Sequence, residues 1–432
     1  MDKVRCAVVN ALVRQEAGGY CNLVLQSVLG QHSEFGPRDK SFLSAVFYGT
    51  VERQFTIDYL LQKCLNRPLE KLDAVVRAIL RAGLYQARWM NGVPVRAAVY
   101  ESVLLTKEMR KASASGLVNA VLRKASALNL EQQIFTSEPQ RLSVLYSVSP
   151  QIAQLFWEKV PDCEAVLRAG FLHPQMSIRV NTLKTTQCAL EEYFQEKKIA
   201  VREAKTPGCL YVDYSGDFTS DAAFQKGWFH VQGEASQIAC AALAPQPGQK
   251  VLDVCAAPGG KSVTLAQYMQ NRGELYASDA APNRLSLIEK AFQRCGVECG
   301  QVIHADASVF HKELNHADAI LCDVPCSGLG ILSKKPDIRH KNLDGLSELI
   351  QLQKNILQTC ASYLKPGGRM VYSTCTLNPD ENEAVVKAFL RENFDFCVKK
   401  VPCTKENAGM VTFYPCEEEP DGFFVALLER TR

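Results

Sequence analysis

The chain has 432 residues, 47% of them hydrophobic and 22% charged, with a formal net charge of +3. That length suits two or three domains at about 100–200 residues each, and the composition is globular rather than disordered. The apolar runs are short and interrupted, which excludes a transmembrane helix. The opening MDKVRCAVVNALVRQEAGGY meets Arg14 and Glu16 too soon to hold a signal-peptide core.

The 17 cysteines are odd in number and scattered, with no C-x-x-C and no paired zinc spacing. Free thiols in a reducing, cytoplasmic compartment are therefore expected, most of them small buried apolar groups, and no metal site. The charge is unevenly spread. Residues 1–150 hold 19 Lys/Arg against 12 Asp/Glu, a balance of +7, whereas residues 151–432 hold 30 against 34, a balance of −4. The basic front half either meets a polyanion or is an ordinary solvated helical surface.

Residues 1–130 are predicted to be all-α. RDKSFLSAVFYGTVERQFTIDYLLQKCL sets Phe42, Val46, Phe47, Val51, Phe55 and Tyr59 on one helical stripe. LEKLDAVVRAILRAGLYQARWM repeats the pattern with Leu72, Val75, Val76, Ile79, Leu80, Leu84 and Tyr85; Pro94 opens the next helix, and LVNAVLRKA lies in the last. Residues 131–240 alternate on a small scale and predict an α+β subdomain. SEPQRLSVLYSVSPQIAQLFWEKV is helical with a break at Pro150, HPQMSIRVNTLK reads as a strand, CALEEYFQEKKI as an amphipathic helix, and CLYVDYSG and GWFHVQ as strands.

Residues 241–432 alternate regularly. VLDVC, ELYASD, GQVIHAD, DAILCDVP and GRMVYSTC are strands, separated by helices such as NRLSLIEKAFQRC and LSELIQLQKNILQTCASYL. This pattern predicts a parallel, doubly wound α/β sheet, followed by the helix NEAVVKAFLREN and a final strand in DGFFVALLER. Ligands of such sheets sit outside the carboxyl ends of the strands.

The first strand runs into VLDVCAAPGGKS. A phosphate-binding P-loop would need Gly where Cys255 stands, and a dinucleotide fingerprint would need three spaced glycines. An adenosine cofactor without phosphates remains, S-adenosylmethionine first among them, unless the turn is a plain strand-to-helix link. Cys255, Ala256, Ala257, Pro258, Gly259, Gly260 and Lys261 are then cofactor residues. Asp279, at the second strand end and 26 residues after Asp253, suits the ribose hydroxyls. Asp306, at the third, is either an acceptor for the adenine amino group or a turn aspartate. The fourth strand ends in Asp323-Val324-Pro325-Cys326 and the fifth in Thr374-Cys375, so two cysteines face one crevice.

GPRDKSFLSAVFYGTVERQ, LRAGLYQ, VPVRAAVYESVLLTK and ASGLVNAVLRK together resemble the RNA-binding domain of the NusB family. That resemblance implies an RNA-contacting bundle, with Arg77, Arg81, Arg88, Lys107, Arg110, Lys111, Arg123 and Lys124 as phosphate contacts. DVCAAPGGKS, ILCDVPCSGLG, KKPDIRH, LKPGG and VYSTCTLNPDENE resemble the motifs of the RNA cytosine-5 methyltransferases. With the NusB-like front, nearly the whole chain resembles the bacterial 16S rRNA methyltransferases of the Sun/Fmu/RsmB type, named for cytosine 967. R-V-N-T at Arg179–Thr182 fits the extension of that family, whereas Gly233 stands where it usually has an acidic residue.

Spacing does not say which cysteine attacks. The DNA enzymes use a Pro-Cys cysteine, which would be Cys326; the RNA enzymes use the Thr-Cys one, which is Cys375. The resemblance thus implies Cys375 as nucleophile adding to cytosine C6, Cys326 as helper in proton removal or release, Asp323 on the cytosine edge and also at the cofactor, and Lys261 either positioning the base or balancing charge nearby. KKPDIRHKN would add a basic strip at the site mouth. The implied partner is 16S rRNA or a small-subunit assembly intermediate, met by a monomer, with no DNA and no membrane. Another RNA such as tRNA, or a non-catalytic antitermination factor, are the alternatives.

Overall fold

The computed structural model describes residues 2–172, 175–214, 216–402, 408–416 and 421–432. Two compact units emerge: Met1–Leu167 with Lys335–Leu343, and Arg168–Lys334 with Asp344–Arg432. These divisions fall elsewhere than the three sequence segments. The stretch from 168 to 240 shares a unit with the large sheet, and nine residues that follow the Pro-Cys loop belong to the helical unit.

The first unit comprises α1 (Lys3–Glu16), α2 (Cys21–Gln31), α3 (Pro37–Glu52), α4 (Gln54–Gln62), α5 (Ala74–Trp89), α6 (Val95–Glu108), α7 (Ser115–Ala127), α8 (Glu138–Tyr146) and α9 (Pro150–Lys159). α10 (Cys163–Ala169) carries the chain out of it. Side-chain caps start several helices: Asp73 accepts from the amides of Val75 and Val76, and Ser137 and Ser149 do the same for α8 and α9. Leu43, Phe47, Ile57, Leu61, Ile79, Leu84 and Leu122 are fully buried in one core. Gly49 lets α3 and α5 approach closely, because a Cβ there would lie 2.0 Å from the Tyr85 ring.

The long stripe expected over residues 38–65 is broken. Arg53, at φ −101° and ψ 10°, ends α3 and starts α4. Val46, Phe47 and Val51 are buried, whereas Phe42, Phe55 and Tyr59 are only partly so. Periodicity alone could not see this because the apolar spacing carries on through the turn.

Half of the anticipated phosphate contacts are engaged within the fold. Arg81 bonds Asp58 at 2.7 Å and Glu16 at 2.8 Å, Arg77 bonds both oxygens of Glu16, and Lys111 meets Asp73 at 2.6 Å. Arg88 donates to the carbonyls of Ala125, Ser126 and Leu128 at the end of α7. Lys107, Arg110, Arg123 and Lys124 are exposed. The basic strip expected in KKPDIRHKN is corrected at Arg339 and His340, while Lys334, Lys335 and Lys341 are exposed. Arg339 is fully buried in the helical unit, donating to the Tyr146 carbonyl at 2.8 Å with Glu52 at 3.9 Å. His340 meets the Val51 carbonyl at 2.8 Å, and Asp337 accepts from the Cys21 amide.

The second unit begins with a small antiparallel sheet of β1 (Met176–Val180), β2 (Val201–Glu203), β3 (Cys209–Val212) and β4 (Phe229–Val231) in the order β2-β3-β1-β4. α11 (Gln187–Glu196) covers it with Leu190 and Phe194. Two residues of the predicted first strand, His173 and Pro174, lie outside the described residues. After α12 (Ala222–Gln225) and α13 (Glu234–Leu243) comes the large sheet: β5 (Lys250–Asp253), β6 (Glu274–Asp279), β7 (Gly300–His304), β8 (Ala317–Asp323), β9 (Leu364–Thr374), β10 (Phe396–Lys399), β11 (Met410–Phe413) and β12 (Phe423–Arg430). Its helices are α14 (Gly260–Tyr268), α15 (Pro282–Cys295), α16 (Leu346–Tyr363) and α17 (Glu383–Glu392).

The strand order is β10-β12-β9-β8-β5-β6-β7, with β11 pairing β12. β5 to β9 run parallel, so the expected doubly wound core is present. The final strand, whose direction the pattern left open, lies antiparallel: β12 sits between β9 and β10. Phe423 to Leu428 are all buried, and burial on both faces marks a central strand without stating its direction. Strand order reverses between β5 and β8, which opens the crevice where a ligand sits.

Arg81→Ala leaves Asp58 and Glu16 without their shared guanidinium. The unfolding free energy of the helical unit, followed by fluorescence in urea, is expected to fall by about 2–3 kcal/mol, less than for a fully buried pair. Lys107→Ala should change it by less than about 0.5 kcal/mol.

Candidate active site

β5 delivers Asp253 to the crevice, and the chain turns through Val254–Gly259 into α14. Gly259 has φ +101°, and a Cβ there would be 3.1 Å from the Ile288 Cα on α15, so glycine is required both for conformation and for space. The Ala256 amide donates to the Ser278 carbonyl, and the Ala257 amide to Asp279 Oδ2 at 3.2 Å. Asp279 Oδ1 accepts from the Ala281 amide at 3.0 Å. The Asp279 carboxylate thus braces the turn at the end of the neighbouring strand. Asp306 is exposed and accepts twice from Ser308 at Oδ1, which holds its carboxyl below the usual range.

Asp253 is fully buried, with Ser262 Oγ donating to Oδ2 at 2.6 Å and no partner at buried Oδ1. Burial pushes its carboxyl up to about 7, against the pull of Ser262 and the Lys261 charge. The carboxylates Asp253, Asp279 and Asp323 converge on this crevice, with Lys261 on Asp323 at 2.7 Å and Arg284 on Asp279 at 3.4 Å. Such a set repels phosphate and suits a cationic sulfonium, so the residues present fit S-adenosylmethionine.

Lys261, on the first turn of α14, pairs with Asp323 Oδ2 at 2.7 Å. Burial alone would lower its pKa, but the Asp323 carboxylate more than offsets that, and the ammonium stays charged. Ser373 Oγ donates to Asp323 Oδ1 at 2.8 Å. The Lys261 ammonium also lies 5.9 Å from the centroid of the Phe423 ring.

Cys326 Sγ and Cys375 Sγ are 3.3 Å apart, and both residues are partly exposed. The contact with Cys375, then burial, then the charges around it push the Cys326 thiol well above its ordinary value. Cys326 therefore remains a thiol at neutral pH. Burial does the same to Cys255, which makes its thiol inert in the turn. Among the described residues every cysteine is free, and no cluster of His, Cys, Asp and Glu is arranged to hold a metal ion.

The sequence reading did not single out Ser373, which orients Asp323, nor Glu381, Ser327 and Gln353 behind the cysteines. Ser373, two residues before Cys375, could have been found by alternation along β9. Glu381 stood inside the quoted VYSTCTLNPDENE, but nothing in a run of three acidic residues tells which one is buried.

The family profile described as 16S rRNA methyltransferase RsmB/F matches residues 240–429, and that of the NusB family matches residues 2–127. The sheet, its switch-point turn and the carboxylates around it define an S-adenosylmethionine-dependent methyltransferase. A "Probable ribosomal RNA small subunit methyltransferase B" from Synechocystis sp. is 33% identical over 427 residues, covering 95% of each chain. The ribosomal RNA small subunit methyltransferase B of Vibrio cholerae is 30% identical, covering 99% of this chain and 97% of its own. The crystal structure of PH0851 shares 26% identity and a TM-score of 0.82, covering 98% of each chain. The chain belongs to the ribosomal RNA small subunit methyltransferase B family.

The folded pKa of Asp253 lies above the roughly 3.9 of an unfolded aspartate. Stability is therefore highest below that value and is lost as pH rises through about 7. Asp253→Asn removes this loss. Between pH 4.5 and 7.5 the unfolding free energy of the variant should gain on that of the parent, by up to about 4 kcal/mol for a shift of about three units, measured by urea titration at each pH.

Proposed function

We propose that this enzyme methylates C5 of a cytosine in 16S rRNA, at the position of the cytosine-967 type, through a covalent thioether to C6. The observation that carries the reading is the pair of cysteine sulfurs 3.3 Å apart at adjacent parallel strand ends, beside the cofactor turn. C5 of cytosine is a weak nucleophile. Addition of the Cys375 thiolate to C6 pushes electron density into the ring and makes C5 an enamine carbon. S-adenosylmethionine, held by the turn from Cys255 to Lys261 with Asp279 and Asp306, supplies the methyl group. A water molecule then takes the C5 proton, the electron pair of that C–H bond re-forms the C5–C6 double bond, and the C6–S bond breaks to release the Cys375 thiolate.

Cys326, kept as a thiol, sits where it can protonate or hydrogen-bond the departing Cys375 sulfur and assist that second half. Asp323, held between Lys261 and Ser373, presents acceptor oxygens to the cytosine amino edge, and Lys261 holds that side chain in place. A paired base cannot enter this crevice, so the target is flipped or unpaired. Residues 1–130 and 131–240 hold the surrounding RNA, with exposed Lys107, Arg110, Arg123 and Lys124 on its phosphates. The enzyme acts as a monomer on the rRNA or on a small-subunit assembly intermediate.

Bisulfite sequencing of 16S rRNA from a strain lacking the gene tests the substrate: one cytosine should lose its methyl group and regain it on complementation. Unchanged methylation would overturn the assignment. For the roles, Cys375→Ala should abolish the protein–RNA adduct on a denaturing gel, while Cys326→Ala should accumulate it. The reverse pattern would exchange the two cysteines.

A further inference from the structure

Behind the two cysteines lies a carboxylate that touches neither of them. Glu381 is fully buried and makes no salt bridge among the described residues. Its Oε1 accepts from the Ser327 amide at 2.8 Å and from Gln353 Nε2 at 3.0 Å. Its Oε2 accepts from Ser327 Oγ at 2.6 Å and Asn378 Nδ2 at 3.2 Å, with Thr376 Oγ1 at 3.3 Å. Thr376 Oγ1 also lies 2.7 Å from Ser327 Oγ. The single Ser327 hydroxyl proton goes to Glu381, so the Thr376 hydroxyl donates to Ser327.

Ser327 follows Cys326 and Thr376 follows Cys375, so one carboxylate holds the Ser327 amide and hydroxyl of one cysteine loop and the Thr376 and Asn378 side chains of the other. Gln353 extends the same grip, since its Nε2 also donates to the Pro325 carbonyl at 2.9 Å on the other side of Cys326. Asn382 secures the second loop, accepting from Thr374 Oγ1 at 2.6 Å and donating to the Thr376 carbonyl at 3.0 Å. Tyr372 OH donates to the Glu381 carbonyl at 2.7 Å and anchors the residue itself. All of these donors are buried. Burying a charge without a cation is costly unless several hydrogen bonds meet it. A fold concerned only with stability would do as well with an apolar side chain and apolar neighbours.

We propose that Glu381 is a positioning residue for methyl transfer: by tying Ser327 to Thr376 it sets Cys326 against the Cys375 sulfur, so that Cys326 can resolve the covalent intermediate. This rests on Cys375 as the nucleophile. Glu381 acts through Ser327 and Thr376 and touches no reacting atom. Only an acceptor on both oxygens satisfies the site. A glutamine of the same shape turns an NH2 toward the donors of one loop, and that loop must move. The negative charge of Glu381 also adds to the influences that keep Cys326 a thiol.

The test uses the full-length enzyme with 16S rRNA and S-adenosylmethionine. Glu381→Gln should lower kcat at least 30-fold, leave cofactor and RNA dissociation constants within threefold, and accumulate the protein–RNA adduct as Cys326→Ala does. Glu381→Gln combined with Cys375→Ala should form none. Turnover within threefold of the parent, or a slow variant without trapped adduct, overturns the positioning role. Adduct formed by Cys375→Ala alone would overturn the nucleophile assignment instead, so the two failures are distinguishable. If Glu381→Gln does not fold, Ser327→Ala carries the same test with a milder loss of about 5–10-fold in kcat; adduct resolved at the parental rate in that variant overturns the proposal.

Discussion

Asp323 and Ser373 face each other in register on the parallel strands β8 and β9. That ladder is the constraint on which the site depends. Parallel strands end side by side, so the loops that follow them start from neighbouring points. The Val324 amide continues the pairing by donating to the Ser373 carbonyl at 3.1 Å. Three residues beyond Asp323 and two beyond Ser373 the chain carries Cys326 and Cys375. A slip of one residue in either strand would reverse the side chains that face the crevice and separate Asp323 from Ser373.

The electrostatics of the crevice follow from burial. Three carboxylates line the crevice, and each is answered differently. Asp323 is met by Lys261 and Ser373, Asp279 by backbone amides of the turn and by Arg284, and Asp253 by one serine hydroxyl. Asp253 is the least supported, and its pKa rises because burial outweighs a single neutral hydrogen bond. A crevice of this sign favours a sulfonium and disfavours a phosphate. Glu381 stays outside that balance, its charge dispersed over donors drawn from the cysteine loops and α16.

Much of this was legible along the chain. The alternation after residue 250, the failure of VLDVCAAPGGKS as a phosphate loop and the two cysteines at strand ends all survive in three dimensions. The basic residues were less legible. Arg81 and Lys107 look alike in a helical pattern, but one is enclosed by Asp58 and Glu16 and the other meets water. Arg339 sits in a run of basic residues that reads as a strip at the site mouth, yet it is wholly buried among helices whose sequence lies some 190 to 290 residues earlier. Such contacts join distant segments, and periodicity reports only on neighbours within a few turns.

The sequence by itself determined the helical front and the doubly wound core, because hydrophobic period and turn residues are local properties. Only the tertiary structure decided the antiparallel course of β12, the 3.3 Å meeting of Cys326 with Cys375, and the place of Glu381 behind them. Each of those rests on pairing between residues dozens of positions apart, where strand direction, register and burial are settled by packing and not by any residue's own preference.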